Sequence, residues 1–270
     1  MNNPLVSVIT PCFNDGKYLL ECIKSVNNSN YKNIEHIIID DGSTDKNTCR
    51  ILDTLDTSYI HLIRTKNQGV CKARNQAIKE STGKYLLPLD GDDIISDKYI
   101  SLAVKELEDD NSISLVSTDY KLFGKKNKTI NLEPYSLERL LGHNLFTNTS
   151  MYRREDFDKS RGYNLNMKDG LEDWDFWINI LKNGGKVKYI NGINFFYRIK
   201  NKNLSRNAKI SNIETFALLR QQIWRNHQEI FSNNFLNPLE TTEYLQIINS
   251  KEYKLGKILL KPIRKILNRN

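Results

Sequence analysis

Three acidic clusters hold the side chains best suited to chemistry. In Asp90-Gly91-Asp92-Asp93, the glycine permits a tight turn, so the flanking carboxylates can converge on one point. Converging carboxylates repel one another unless a cation or hydrogen-bond donors compensate, and hard oxygen ligands suit magnesium or manganese. Such an ion would bridge diphosphate oxygens and act as a Lewis acid on a departing nucleoside diphosphate. The same residues also read as a solvated turn capping the next helix. Asp40-Asp41-Gly42-Ser43-Thr44-Asp45 can offer a carboxylate to a base N–H or a ribose hydroxyl. It reads equally as an Asx turn with Ser43 or Thr44 capping a helix that begins near Asp45. In Leu171-Glu172-Asp173-Trp174, two acids precede Trp174, Trp177, Ile178 and Leu181, whose i, i+3, i+4, i+7 spacing marks a helix with one buried face. The helix dipole alone accounts for acids at that end. The alternative is a general base on a rigid element, aimed at an acceptor hydroxyl.

The elements that must position these clusters alternate in type. Leu5–Thr10 reads as a buried strand stopped by Pro11, Lys17–Val26 as a helix, Glu35–Ile39 as a strand, Tyr59–Ile63 as a strand, and Val70–Glu80 as a helix. Lys84–Leu89 is a fourth strand and Lys98–Glu108 a helix. A strand at Ile113–Ser117 leads into a hairpin-like stretch through Lys128. Thr147–Arg153, Lys186–Ile190 and Asn194–Arg198 read as strands and Glu172–Asn183 as a helix. Near-continuous apolar strands alternating with helices indicate an α/β fold with a mostly parallel sheet covered on both faces. Ligands in such sheets bind beyond the carboxyl ends of the strands, where the first two acidic clusters fall.

Composition narrows the classes. The 270 residues are 39% hydrophobic and 10% aromatic, enough for a core. The net charge is +8, yet the segment from Lys251 to Asn270 holds seven Lys/Arg against Glu252 alone. That tail carries +6 and leaves +2 for the first 250 residues, which argues against a nucleic-acid groove. The start lacks the basic n-region of a signal peptide, and no 18 consecutive apolar residues occur. Cys12, Cys22, Cys49 and Cys71 have neither CxxC spacing nor a paired framework and read as reduced, mostly buried thiols. From Asn212 onward the pattern is helical, with an apolar stripe of Ile213, Phe216, Leu219, Ile223, Trp224 and Phe231.

Taken in order, the motifs resemble glycosyltransferase family 2, inverting enzymes of the GT-A fold. The resemblance runs through Val6–Asn14, Ile38–Asp45, Asn67–Gly69, Ala73-Arg74-Asn75 and Gly83–Asp93, then Gly162-Tyr163, Gly170 to Trp177, and Tyr197-Arg198 with Leu204-Ser205. It implies a GT-A domain over residues 1–206 and a helical extension over 207–270. It implies that Pro11, Phe13 and Asp41 hold the nucleotide base, with Asp41 accepting from uracil. Asp90 would bond the ribose or a nearby part of the ligand, Asp92 would bind Mn2+ or Mg2+, and Asp173 would be the base with Glu172 beside it. Arg198 and Lys200 fall in the closing loop and are expected among the donor-binding residues. Many relatives carry a metal-ligating His where Lys200 stands. A protonated lysine cannot ligate a metal, but it can contact the diphosphate directly. An exposed loop lysine among Lys202 and Arg206 is the plainer reading.

The expected activity is transfer of a sugar from a nucleotide-sugar, UDP-linked by the resemblance, to a saccharide acceptor. His143, Asn144, Asn148 and the loop from Lys159 to Lys168 fall on the acceptor side. A sugar nucleotidyltransferase would show a Gly-rich basic loop after the first strand, where Pro11-Cys12-Phe13-Asn14-Asp15 stands instead. A non-catalytic nucleotide-sugar or membrane-binding scaffold is the other alternative. Leu255, Ile258, Leu259, Ile263, Ile266 and Leu267 recur at helical spacing among basic residues, with Pro262 expected to kink or split the helix. That suits either packing on the catalytic domain or an anionic membrane surface. The second option goes with a lipid-linked acceptor in bacterial cell-surface polysaccharide synthesis, and a cytoplasmic protein peripheral on the inner face of the membrane.

Overall fold

The computed structural model describes residues 3–200, 212–234, 239 and 241–267, with side chains placed up to Lys261. The 206/207 boundary, Leu204-Ser205, Lys202, Arg206 and the side chains of Ile263, Ile266 and Leu267 lie outside the described residues.

Nine strands form one sheet among the described residues. Strands β1 (Val6–Cys12), β2 (Ile34–Asp40), β3 (Ile60–Arg64) and β4 (Tyr85–Pro88) lie in the order β3-β2-β1-β4 and are parallel. Antiparallel β8 (Met151–Arg153) joins β4 to β6 (Ile113–Gly124), which is followed by β9 (Lys186–Ile199) and β5 (Ile94–Ile95); β7 (Lys128–Ile130) makes a hairpin with β6. Since β6 and β9 are parallel to each other, six of the nine strands share one direction, and the mostly parallel α/β expectation holds.

Successive side chains of a strand point to opposite faces, and both faces here are covered. Ile9, Ile37 and Leu86 join a core built with α3 (Val70–Glu80), α5 (Leu137–Gly142) and α7 (Glu172–Leu181). Val6, Val8, Tyr85 and Leu87 face the other way, onto α1 (Gly16–Asn27) and α4 (Tyr99–Asp109). A third cluster lies between α1, β2 and α2 (Lys46–Asp53).

Several boundaries differ from expectation for identifiable reasons. Strand β1 does not stop at Pro11 but runs to Cys12, still in register with β2. Leu5 and Ile9 accept backbone bonds from the β4 side, so Pro11, next in that alternation, has no N–H to continue β4 pairing, and the two strands part there. Helix α2 is capped by Asp45, whose carboxylate accepts the Thr48 N–H at 2.7 Å; Ser43 instead receives the Asn14 N–H. The two expected strands at 186–198 are one strand, β9, with bulged pairing around Ile193. Only Met151–Arg153 of the expected 147–153 strand is extended.

In α8 (Ile213–Asn226) and α9 (Gln228–Asn233), Leu219, Ile223 and Phe231 join the core against α7, but Ile213 and Trp224 are exposed. Ile223 and Trp224 are adjacent, about 100° apart around the helix, so only one can face inward. This cover leaves α7 buried on nearly every side rather than on one face. After α10 (Thr242–Asn249), α11 (Lys251–Leu267) is not split at Pro262. A proline removes a single i→i−4 bond, which a helix can bridge. Leu255, Ile258, Leu259 and Leu260 on it are all exposed.

Candidate active site

At the carboxyl ends of β1 and β2 two loops are tied together. The Asn14 side-chain oxygen accepts the N–H of Thr44 and of Asp45, each at 2.8 Å. Gly42 sits at φ +75°, and a Cβ there would lie 2.5 Å from the Asn67 nitrogen, so this crossing of loops requires glycine. Asp41 is buried and accepts the N–H of Gln68 at 2.8 Å and of Gly69 at 2.9 Å, which fixes the entry to α3. Phe13 stands exposed at the end of β1, with partly exposed Pro11 two residues before it.

The turn after β4 commits each of its acids. Asp90 accepts from Arg74 at 2.7 Å and from the Asn148 amide at 3.4 Å. Asp93 is buried and accepts the Arg198 N–H at 2.7 Å; burial, with Asp92 and Asp90 nearby, raises its pKa well above the usual carboxylate range. Asp92 pairs with Lys200 at 2.8 Å, and Lys200 also reaches Asp15 at 2.6 Å. Burial pushes the Asp92 carboxyl up, and Lys200 pulls against it. The Asp92 carbonyl accepts from Arg198 Nε at 2.6 Å.

Arg74 is the residue that sequence reasoning missed. It lies on α3, fully buried, with one nitrogen on Asp90 and another 3.0 Å from Glu172 Oε1. It therefore joins the strand-end turn to the start of α7. A signal existed: Val70, Arg74, Ala77 and Ile78 fall on one helical stripe, and an arginine on an inward stripe needs buried acids.

Asp173 sits in the first turn of α7, after Gly170 at φ +135° and Leu171 at φ +56°. A leucine in the left-handed region is a strained backbone of the kind that clusters at functional sites. One Asp173 oxygen accepts the Trp174 N–H at 2.8 Å and the other the Asn144 amide at 3.1 Å. Burial and the adjacent Glu172 charge push its carboxyl up to about 6. Asn144 and Asn148 thus do reach the site, whereas His143 lies 3.4 Å from Glu133. Asp175, two residues further along α7, is fully buried and held by Asn164, Asn226 and His227, which pins α7 to the α8–α9 junction.

A divalent ion was expected on Asp92. As arranged, the donor set does not fit one: Asp92 is paired to a lysine, Asp90 to an arginine, and Asp93 to a backbone N–H. Among the described residues no three His, Cys, Asp or Glu side chains converge as a metal site.

The sequence pattern described as Glycosyl transferase family 2 matches residues 7–174. An uncharacterized glycosyltransferase of Haemophilus influenzae is 32% identical over 81% of this chain and 88% of its own length. The chondroitin synthase of Escherichia coli is 30% identical over 70% of this chain, and the match covers only 28% of that longer protein. Among solved structures, S. aureus TarS superposes with a TM-score of 0.68 at 19% identity, covering 93% of this chain and 74% of that one. A mannosyltransferase from Pyrobaculum calidifontis, solved with GDP-Man and Mn2+, gives 0.60 at 16% identity over 100% of this chain and 89% of that one. The structural matches speak for the GT-A fold, and the family pattern spans both the strand-end loops and the start of α7. The chain belongs to glycosyl transferase family 2.

Proposed function

We propose that the chain transfers a sugar from a nucleotide-sugar, UDP-linked, to a saccharide acceptor with inversion at the anomeric carbon. The observation that carries this reading is the Arg74 bridge, which ties the donor-side turn at Asp90 to the α7 terminus that carries Asp173. Phe13 and Pro11 offer apolar surface to the base. Asp41, though bonded to two amides, keeps lone pairs for a uracil N–H. Asp90 and Asn148 face the ribose and sugar.

Asp173 takes the acceptor proton. A carboxyl near pKa 6 is ionised at neutral pH yet more basic than an ordinary aspartate, a useful combination in a general base. As the acceptor oxygen bonds to the anomeric carbon, the carbon–oxygen bond to the diphosphate breaks on the opposite face, and its electron pair leaves with the diphosphate. Glu172, paired to Arg74, holds α7 in place and raises the Asp173 pKa.

The relatives support a polysaccharide product: chondroitin synthase from Escherichia coli and hyaluronan synthase from Pasteurella multocida, of which this chain spans 28% each. TarS has been solved with UDP-GlcNAc. No helix among the described residues is long and apolar enough to cross a membrane. The exposed Leu255, Ile258 and Leu259 on basic α11 support a peripheral site on an anionic inner membrane face, close to a lipid-linked acceptor. A panel of UDP- and GDP-sugars offered with saccharide acceptors tests the reading, the product anomer being read by NMR. Transfer with inversion is expected from one donor; a retained anomer, or donor binding without turnover on any acceptor, contradicts it.

A further inference from the structure

Lys200 departs from the family pattern, and its surroundings give it a defined place. It stands between carboxylates of two separate loops: Asp15, between β1 and α1, and Asp92, after β4. Its side chain is only 9% exposed, so this is an enclosed cation rather than a loop lysine in solvent. The strand end that carries it is fixed independently. The Arg198 guanidinium lies 4.5 Å from the Tyr18 ring centre and 4.3 Å from that of Phe123, and it pairs with Glu21. Its Nε and backbone N–H hold the Asp92 carbonyl and the Asp93 carboxyl. Arg198 is thus committed to the scaffold, and among the described residues Lys200 is a second cation at these strand ends, placed to face a ligand.

An ammonium has three N–H donors; two serve Asp15 and Asp92, and the third, on a nitrogen that lies 5.6 Å from the Tyr18 ring centre, is the one an anion oxygen would take. Lys200 and Asp92 meet where β1 and β4 part, beyond the strand ends, where the donor diphosphate is read to bind. A divalent ion approaching Asp92 would meet the lysine charge only one carboxylate away.

We propose that Lys200 is the resident cation of the donor site and binds the diphosphate in place of a divalent ion. The chain then holds a nucleoside diphosphate without Mn2+ or Mg2+. When the glycosidic carbon–oxygen bond of the donor breaks, its electron pair goes to a diphosphate oxygen, whose charge the ammonium stabilises, while the acceptor proton goes to Asp173. The proposal rests on the transferase reading above.

Calorimetric titration of UDP and of GDP into the full chain, in EDTA and in Mn2+, tests it. One nucleotide is expected to bind in EDTA within about threefold of its affinity in Mn2+. Lys200→Met should lose about tenfold or more in EDTA, as expected for a lost charge-assisted hydrogen bond, and recover when Mn2+ is added, because Asp92 is released. Lys200→His, which places a neutral metal ligand there, should become Mn2+-dependent. A wild-type affinity that drops about tenfold or more in EDTA overturns the proposal and leaves the transferase reading standing. Binding of neither nucleotide in either condition overturns both. Should the variants not fold, a Mn2+ spin-resonance titration of wild type with UDP decides. Free Mn2+ undiminished by the complex supports the proposal, and Mn2+ captured by it overturns the proposal.

Discussion

The Asp90–Asp93 turn and the Glu172-Asp173 pair face the same problem, adjacent carboxylates withdrawn from water, and solve it differently. In the turn each carboxylate has a named partner, Arg74, Lys200 or the Arg198 N–H, the first two shared with Glu172 and Asp15. At the start of α7, among the described residues, Glu172 is paired to a cation while Asp173 has neutral donors, and burial beside Glu172 carries its carboxyl up to about 6. The first arrangement holds each acid against a fixed partner, and the cations Arg74 and Lys200 supply the positive charge on the donor side. The second leaves one carboxyl poised to exchange a proton. Arg74 serves both centres, so the contrast depends on one side chain.

Removing that side chain should have the largest effect. Arg74→Met leaves the buried Glu172 and the half-buried Asp90 without this cation, and breaking a buried pair typically costs about 3–5 kcal/mol. A loss of unfolding free energy of that size in a denaturant titration, with loss of transfer, is the expected outcome; unchanged stability would show that the two centres are not joined through Arg74. The same conservative change at one acid of each centre sharpens the contrast. In Asp93→Asn the side-chain oxygen can still accept the Arg198 N–H, so turnover should stay within about threefold of wild type, in keeping with a group held rather than titrated. A collapse of kcat would assign Asp93 a proton-transfer role. Glu172→Gln should act more gently. It removes the neighbouring charge that raises the Asp173 carboxyl and frees Arg74 to lower it, so the acid limb of the pH–rate profile should move to lower pH. A limb that moves up, or stays fixed, breaks the claimed coupling. Deleting residues 251–270 should reach neither centre. Nucleotide affinity should be unchanged while sedimentation with anionic vesicles is lost, each basic residue near such a surface being worth about 1 kcal/mol. Unfolding on truncation would make α11 a packing element.

Much of the frame was legible before any coordinates. Strands β1 to β4 and helix α3 carry long apolar runs or clear periodicity, and their positions follow from that alone. Elements without such a pattern were lost. Strand β5 has two residues, α6 (Arg154–Ser160) buries none of its side chains, and α5 is six residues long. Asn191-Gly192 reads as a break, yet β9 absorbs it as an irregularity against β6. At the site, the acids announced themselves through spacing, but their partners did not. Arg74 and Lys200 meet their carboxylates across 16 to 185 residues of sequence, and periodicity carries no information on which distant residue arrives. The Lys200 departure was visible; that it bridges Asp15 and Asp92 was not. The wholly buried α7 reads as one-faced in sequence because the apolar stripe of α8 and α9 is visible but its docking place on α7 is not, and the Asn226 and His227 bonds to Asp175 that fix it there are polar.

The central claim is that Asp173 is the base, and the pH dependence of kcat for wild type and Asp173→Asn tests it most directly. The base acts in its ionised form, so wild-type kcat should fall as pH drops through about 6. Asp173→Asn keeps shape and helix-end hydrogen bonding but cannot take the proton. Its kcat should be lower by about a hundred- to ten-thousand-fold and lose the limb near 6, with donor affinity unchanged. An Asp173→Asn enzyme that turns over within about threefold of wild type and keeps that limb would contradict the account, leaving Asp173 as a helix-end charge and moving the base to Glu172.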